Sequence, residues 1–171
     1  MSAPHSDFNP DHLPLAYLIT FRAHGTWLHG DSRTSVDRFH NRYGTPRIAP
    51  NLRWHRFNER TMKLPPVNLG ARRRAAIDEA IQETCKIRRW NLWTRSVRTN
   101  HVHTVVTALC DPEIVLRALK ANATRKLREA GCWQSSRTPW ARKGSKRRLW
   151  THEQLMSAIV YVEYEQGEPL P

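Results

Sequence analysis

The sequence predicts an α+β fold of the split βαβ, ferredoxin-like type: an antiparallel sheet, crossover helices, and one further helix at the C-terminus. Strand-like and helix-like stretches follow in the order strand, helix, strand, strand, helix, short strand, helix. The longer helical stretches carry apolar residues at i, i+3, i+4 spacing, as a helix docked on a sheet requires. A chain of 171 residues with 39% hydrophobic content can build one domain with a real core. Residues 1–171 are therefore read as a single domain.

The elements follow in order. "LAYLITFRAHGTW" (15–27) reads as a strand, with Tyr17, Ile19 and Phe21 alternating against Leu18 and Thr20. Residues 28–66 are rich in Arg, His, Asn, Pro and Gly and read as a basic loop insertion. Its Arg53, Trp54, Arg56 and Arg60 are of the types that grip a phosphate backbone. "NLGARRRAAIDEAIQETCKIRRW" reads as a helix whose inner face is Ile77, Ala80, Ile81 and Thr84. "WNLWTRSVRTN" and "HVHTVVTA" read as a hairpin. "DPEIVLRALKANATRKLREAG" is a second helix, with Asp111 as N-cap, Pro112 in the first turn and Gly131 at the exit. Leu116, Leu119, Ala123 and Leu127 form its buried stripe, leaving Lys120, Thr124, Arg125 and Arg128 for the outside. Residues 132–148 read as a second basic loop insertion, followed by a short strand at 148–150. "THEQLMSAIVYVEYEQG" reads as the last helix; Thr151 and Gln154 have capping-box spacing, and Leu155, Ile159 and Val162 face the core.

Charge narrows the function. Lys and Arg number 28 against 15 Asp and Glu, a net charge of +13 and a pI near 10.6. Such a field favours a polyanion, most often nucleic acid. The chain also has seven tryptophans, and exposed bases stack on aromatic rings. No run of 18 apolar residues exists, so no membrane span is expected, and "MSAPHSDFNPDHLP" lacks the features of a signal peptide. Cys85, Cys110 and Cys132 are scattered and odd in number, which fits a reducing cytoplasm rather than a disulfide framework or a zinc site.

The chemistry-bearing stretch is "RTNHVHTVVTA" (98–108). Alternation puts His101 and His103 on one face of a strand and Val102 on the other. Neutral imidazoles offer lone pairs to a divalent cation, although a chain with nine histidines also produces such pairs by chance. Tyr161 in the last helix reads on its own as core packing. Glu165, four residues on and about 40° around the helix, shares its face. Gln166 stands about 140° away and can serve instead if the helix frays before Gly167.

"NHVHTVV" resembles the HUH motif (His, hydrophobic, His) of the HUH endonuclease superfamily. "YVEYEQG" resembles the helix that carries the single catalytic tyrosine in its transposase branch. "VRTNHVH" and "LKANATRKLREAG" are similar to REP-associated tyrosine transposases and related insertion-sequence transposases, and the resemblance spans roughly residues 15–167. It implies a metal-dependent single-strand DNA endonuclease and transposase that recognises hairpin DNA. His101 and His103 would bind Mg²⁺ or Mn²⁺, and Tyr161 would attack to give a 5′-phosphotyrosine and a free 3′-OH. The third metal ligand in such proteins is often a Gln or Asn about one turn after the tyrosine; here both Glu165 and Gln166 stand open. The DNA contacts expected are Arg98, Lys120, Thr124, Arg125, Arg128, Arg142, Lys143, Lys146, Arg147 and Arg148. The resemblance leaves open a monomer or a homodimer with shared active sites.

Two other readings compete. A two-histidine phosphodiesterase needs two H-x-[ST] motifs, and the chain has one, His24-Gly25-Thr26. A non-catalytic nucleic-acid-binding module on the same scaffold keeps the basic charge and needs no Tyr161.

Overall fold

A computed structural model describes residues 9–29, 32, 47–62 and 64–167. The alternating stretches form one antiparallel sheet: β1 (Ala16–Ala23), β2 (Asn91–Val97), β3 (His101–Thr107) and β4 (Trp140–Leu149). The strand order is β2-β3-β1-β4, the ferredoxin-like order with β1 and β3 central. Four helices accompany it: α1 (Leu52–Thr61), α2 (Ala71–Arg88), α3 (Pro112–Glu129) and α4 (His152–Tyr164).

The two faces of the sheet have separate cores. Tyr17, Ile19, Phe21, Val102 and Val106 join Ile77, Ala80 and Ile81 of α2 and Leu116, Leu119, Ala123 and Leu127 of α3. On the other face, Ala16, Val105 and Leu149 meet Leu155, Ala158 and Val162 of α4. Full burial of a Leu or Val contributes roughly 1.5–3 kcal/mol, so Leu155 and Val162 set the seat of α4. The start signals act as read: Asp111 accepts a hydrogen bond from the Glu113 N–H and Thr151 accepts one from the Gln154 N–H. Gln154 Oε1 in turn accepts from the Trp150 N–H at 2.7 Å, which closes the cap.

Two stretches differ from the sequence expectation. The insertion at 28–66 contains α1, started by Asn51, whose side chain accepts from the Trp54 N–H. None of its residues is buried, so it lacks the aliphatic stripe that marks a packed helix. Residues 30, 31, 33–46 and 63 of that insertion, and residues 1–8 of the N-terminal stretch, lie outside the described residues.

The second difference is larger. The basic loop expected at 132–148 is mostly strand: β4 spans ten residues and pairs with β1 from Ala16↔Leu149 to Ala23↔Trp140. It is an edge strand, so its outer positions carry cations, which also discourage further strand pairing. Gly144 lies close against α3 and β1. A Cβ on Gly144 would lie 2.8 Å from both Leu116 Cδ1 and the Thr20 carbonyl oxygen. No helix among the described residues is long and apolar enough to cross a membrane. The three cysteines are free thiols, and burial pushes that of Cys85 up to about 11.

Candidate active site

The site forms on the sheet face that α4 covers. The β2–β3 turn is pinned from three sides: Arg98 N–H donates to His101 O at 2.8 Å, Ala23 N–H to Asn100 O at 2.9 Å, and Leu69 N–H to Thr99 O at 2.7 Å. Strand alternation then sends His101 and His103 to the α4 face, with ring centroids 4.7 Å apart. On β1, Arg22 lies opposite His101 and Thr20 opposite His103.

Helix α4 brings Tyr161 to the same place. Its ring meets His103 edge-on, centroids 5.5 Å apart, and the residue stays 38% exposed. It packs on His103 while remaining open to solvent. Tyr164 is 75% exposed, and Tyr17 is fully buried with its hydroxyl donating to Cys110 O at 2.9 Å.

The helix ends at Tyr164, and that end decides which residue reaches the pair. Glu165 is the C-cap: its N–H bonds Tyr161 O and the residue is exposed. Gln166 folds back instead. Its Nε2 donates to Tyr161 O at 3.1 Å, which turns Oε1 toward His101 Nε2 at 3.2 Å. Among the described residues no group of three or more His, Cys, Asp or Glu side chains is placed to hold a metal ion. The convergent set here is two histidines and a glutamine amide.

The electrostatics favour a neutral imidazole at His103. His103 is 6% exposed, and its pKa falls from 6.5 to about 4. Burial is the main cause; the charges of His101 and Arg22 add to it, and a hydrogen bond with Gln166 opposes it. Its Nδ1 lies 2.7 Å from Thr20 Oγ1. The His101 Nδ1 lies 2.6 Å from Asn100 Oδ1. A neutral His101 donating to that oxygen turns the lone pair of Nε2 toward Gln166 Oε1, itself an acceptor. In that tautomer both atoms can offer a lone pair to a cation. Partners on the other ring nitrogen that fix the tautomer are what ligating histidines ordinarily have. The donor set therefore fits a divalent metal. Imidazole with an amide oxygen suits Mn²⁺ better than Mg²⁺, which prefers oxygen alone.

The structure redistributes the expected DNA-contacting residues. Thr124 is 8% exposed and its hydroxyl accepts from Trp140 Nε1 at 3.1 Å, so it belongs to the core and not to a surface. Lys120 is half-buried, its ammonium bonded to the carbonyls of Ala141 and Lys143 at 2.8 and 3.1 Å. Burial lowers its pKa. It fastens β4 to α3. Arg125 pairs with Glu83 and Glu129, Arg128 bonds the carbonyls of Ser135 and Ser136, and Lys146 pairs with Glu113. Arg142, Lys143 and Arg147 are exposed on β4 and Arg148 is half-buried there. Arg147 lies opposite Leu18, on the α4 side of the sheet. Arg98 is at the rim, its guanidinium 3.5 Å from where a Cβ on Gly167 would stand. Sequence reasoning missed Thr20, Arg22 and Asn100. The first two become visible only when β1 is paired with the H-x-H strand.

No protein-family model matches the chain, and a search of curated proteins finds no match. Among solved structures, the chain is similar to a REP-associated tyrosine transposase bound to a REP hairpin. The TM-score is 0.51 at 10% sequence identity, covering 95% of this chain and 70% of that one. The chain thus has an α+β fold with a four-stranded antiparallel sheet like that of this transposase.

Proposed function

We propose that the protein is a metal-dependent single-strand DNA endonuclease and transposase that cuts and rejoins DNA through Tyr161. The observation that carries this reading is the meeting of His101, His103, Tyr161 and Gln166 on one face of the sheet, from two distant parts of the chain, β3 and the C-terminal segment. The basic charge and a fold like that of a hairpin-bound transposase support hairpin DNA as the substrate.

The residues divide the work. His101, His103 and Gln166 would hold Mn²⁺ or Mg²⁺, which when bound polarises a phosphoryl oxygen. Tyr161 Oη attacks phosphorus: an Oη–P bond forms, the P–O3′ bond breaks, and the 3′-oxygen leaves as a hydroxyl after taking a proton. The phenol proton passes to water at the open side of the ring. The product is a 5′-phosphotyrosine, which conserves the cleaved bond so that rejoining needs no nucleotide cofactor. Thr20 and Asn100 hold the imidazoles in the tautomers that ligation needs. Both histidines, Tyr161 and Gln166 belong to one chain, so this reading requires no partner subunit to complete the site.

The test is direct. Incubation with Mn²⁺ and a hairpin oligonucleotide bearing a single-stranded flank is expected to give a covalent protein–DNA adduct on a denaturing gel, lost on adding chelator. Binding without adduct across a panel of hairpins would leave a DNA-binding module in its place.

A further inference from the structure

Helix α1 is fastened to the rest of the chain by one side. Trp54 stacks on His29, ring centroids 5.1 Å apart and 13° from parallel, and Asn58 Nδ2 donates to His29 O at 3.1 Å. His55 shares that side and is half-buried; Glu59, the one acid of the helix, turns to it at 3.6 Å. Just past the helix, Met62 and Pro66 close on Gly25, where a Cβ would lie 2.8 Å from Met62 Sδ and 3.0 Å from Pro66 Cα. Gly25 has φ +74 and turns the chain sharply after β1. Thr26 Oγ1, next in sequence, donates to Ala23 O at 2.8 Å and lies 3.3 Å from Asn100 O. These contacts tie α1 to the end of the sheet where His101 follows Asn100.

The other side of α1 is basic. At about 100° per residue, Arg53, Arg56 and Arg60 lie within about 60° of one another, centred opposite the arc of Trp54, His55 and Asn58. All three are exposed, and among the described residues none of their guanidiniums has a hydrogen-bond or ion-pair partner. Leu52 and Phe57, 63% and 62% exposed, flank the arginines on either side. Two apolar residues held about 140° apart by three cations make no continuous apolar face for a lipid surface or a peptide groove. The charge instead fits a polyanion. Guanidinium forks match phosphate, and an exposed ring beside them stacks on an unpaired base. A closed duplex offers phosphates but no free base.

Resting on DNA as the substrate proposed above, we infer that this face of α1 holds the single-stranded flank of the hairpin, with Arg53, Arg56 and Arg60 on its phosphates and the Phe57 ring against an unpaired base. The helix would then act as a second grip on the strand that runs to Tyr161.

The experiment uses the full chain in chelator, so that binding alone is read. Affinity is measured against salt for a hairpin with a single-stranded flank and for the same hairpin without it. The variants are Arg53→Gln, Arg56→Gln and Arg60→Gln combined, and Phe57→Ala. No residue of α1 is buried, so melting curves are expected to match the parent. The triple variant is expected to reduce the slope of log affinity against log salt by about 2 for the flanked hairpin, three single-strand phosphates at about 0.7 each. The slope for the bare hairpin is expected to stay the same. Phe57→Ala is expected to weaken the flanked hairpin about fivefold or more and to leave the bare one unchanged. An unchanged slope for the triple variant overturns the inference, and so does an equal fall for both oligonucleotides, which would put α1 on the duplex. If the triple variant melts early, Phe57→Ala decides: unchanged affinity for the flanked hairpin overturns it. Adduct formation by the parent with Mn²⁺ is followed alongside. If the parent forms no adduct yet the flank-specific loss is seen, the nuclease reading falls and the grip on the flank stands. If it forms the adduct and the slope does not move, only this inference falls.

Discussion

Lowering the pH from 7 to 4 is expected to remove about 3 kcal/mol of folding stability through His103 alone. An unfolded histidine takes up its proton near 6.5, whereas His103 in the folded chain resists until about 4. Between those values the unfolded chain holds the extra proton, so stability falls as pH falls. The contribution is fully present above 6.5 and is lost on the way down through 4. A span of about 2.5 pH at about 1.4 kcal/mol each gives the figure. The cause is structural: the ring is 6% exposed, beside His101 and Arg22, with Thr20 Oγ1 on Nδ1. The assay is urea unfolding in chelator between about pH 7.5 and 4, for the parent and for His103→Asn. The carboxylates titrate in both proteins, so the difference between the curves reports His103. Parallel curves, or an imidazole that titrates by NMR at the ordinary histidine value, would refute the reasoning. The same neutrality leaves a lone pair for a metal at neutral pH.

Other consequences follow from the same geometry. His101→Ala combined with His103→Ala should abolish divalent-dependent nicking on gels while leaving hairpin affinity nearly intact, because phosphate contacts come mainly from Lys and Arg. Hairpin affinity of the parent should fall steeply between about 50 and 200 mM salt in an anisotropy titration, as counterion release requires. A flat response would remove nucleic acid as the main partner. Gly144→Ala should lower stability by about 1–3 kcal/mol in thermal melts, since the new methyl meets Leu116 and the Thr20 carbonyl. Thr124→Val should cost about 1 kcal/mol, through its bond to Trp140, and leave DNA affinity unchanged.

Helices α2, α3 and α4 were legible because their apolar stripes and end signals agree: Asp111, Pro112 and Gly131 bracket α3, and Thr151 starts α4. The H-x-H strand was legible from alternation. Helix α1 was not, because it buries nothing and leaves no stripe to count. Strand β4 was hidden by its role. An edge strand rich in cations, with Gly144 in its middle, reads as a basic loop until its pairing with β1 is known. Lys120 and Thr124 lay on the outward side of a helical wheel, but the indole of Trp140 and the carbonyls of β4 arrive from elsewhere in the chain to cover them. Periodicity along α4 favoured Glu165 beside Tyr161. The helix stops at Tyr164, and the irregular turn after it places Gln166 at His101.

The central claim is that Tyr161 forms the bond to DNA, and the most direct measurement is the site of the adduct. The parent chain is incubated with Mn²⁺ and a hairpin bearing a single-stranded flank, digested, and mapped by mass spectrometry beside Tyr161→Phe, Tyr164→Phe and Tyr17→Phe. Tyr161→Phe removes one oxygen and leaves the ring on His103, so folding and DNA binding should persist, with at most about 1–2 kcal/mol lost from one hydrogen bond. The account predicts a nucleotide on the peptide containing Tyr161, no adduct with Tyr161→Phe, most of it with Tyr164→Phe and all of it with Tyr17→Phe. An adduct that survives in Tyr161→Phe and disappears in Tyr164→Phe would contradict the account.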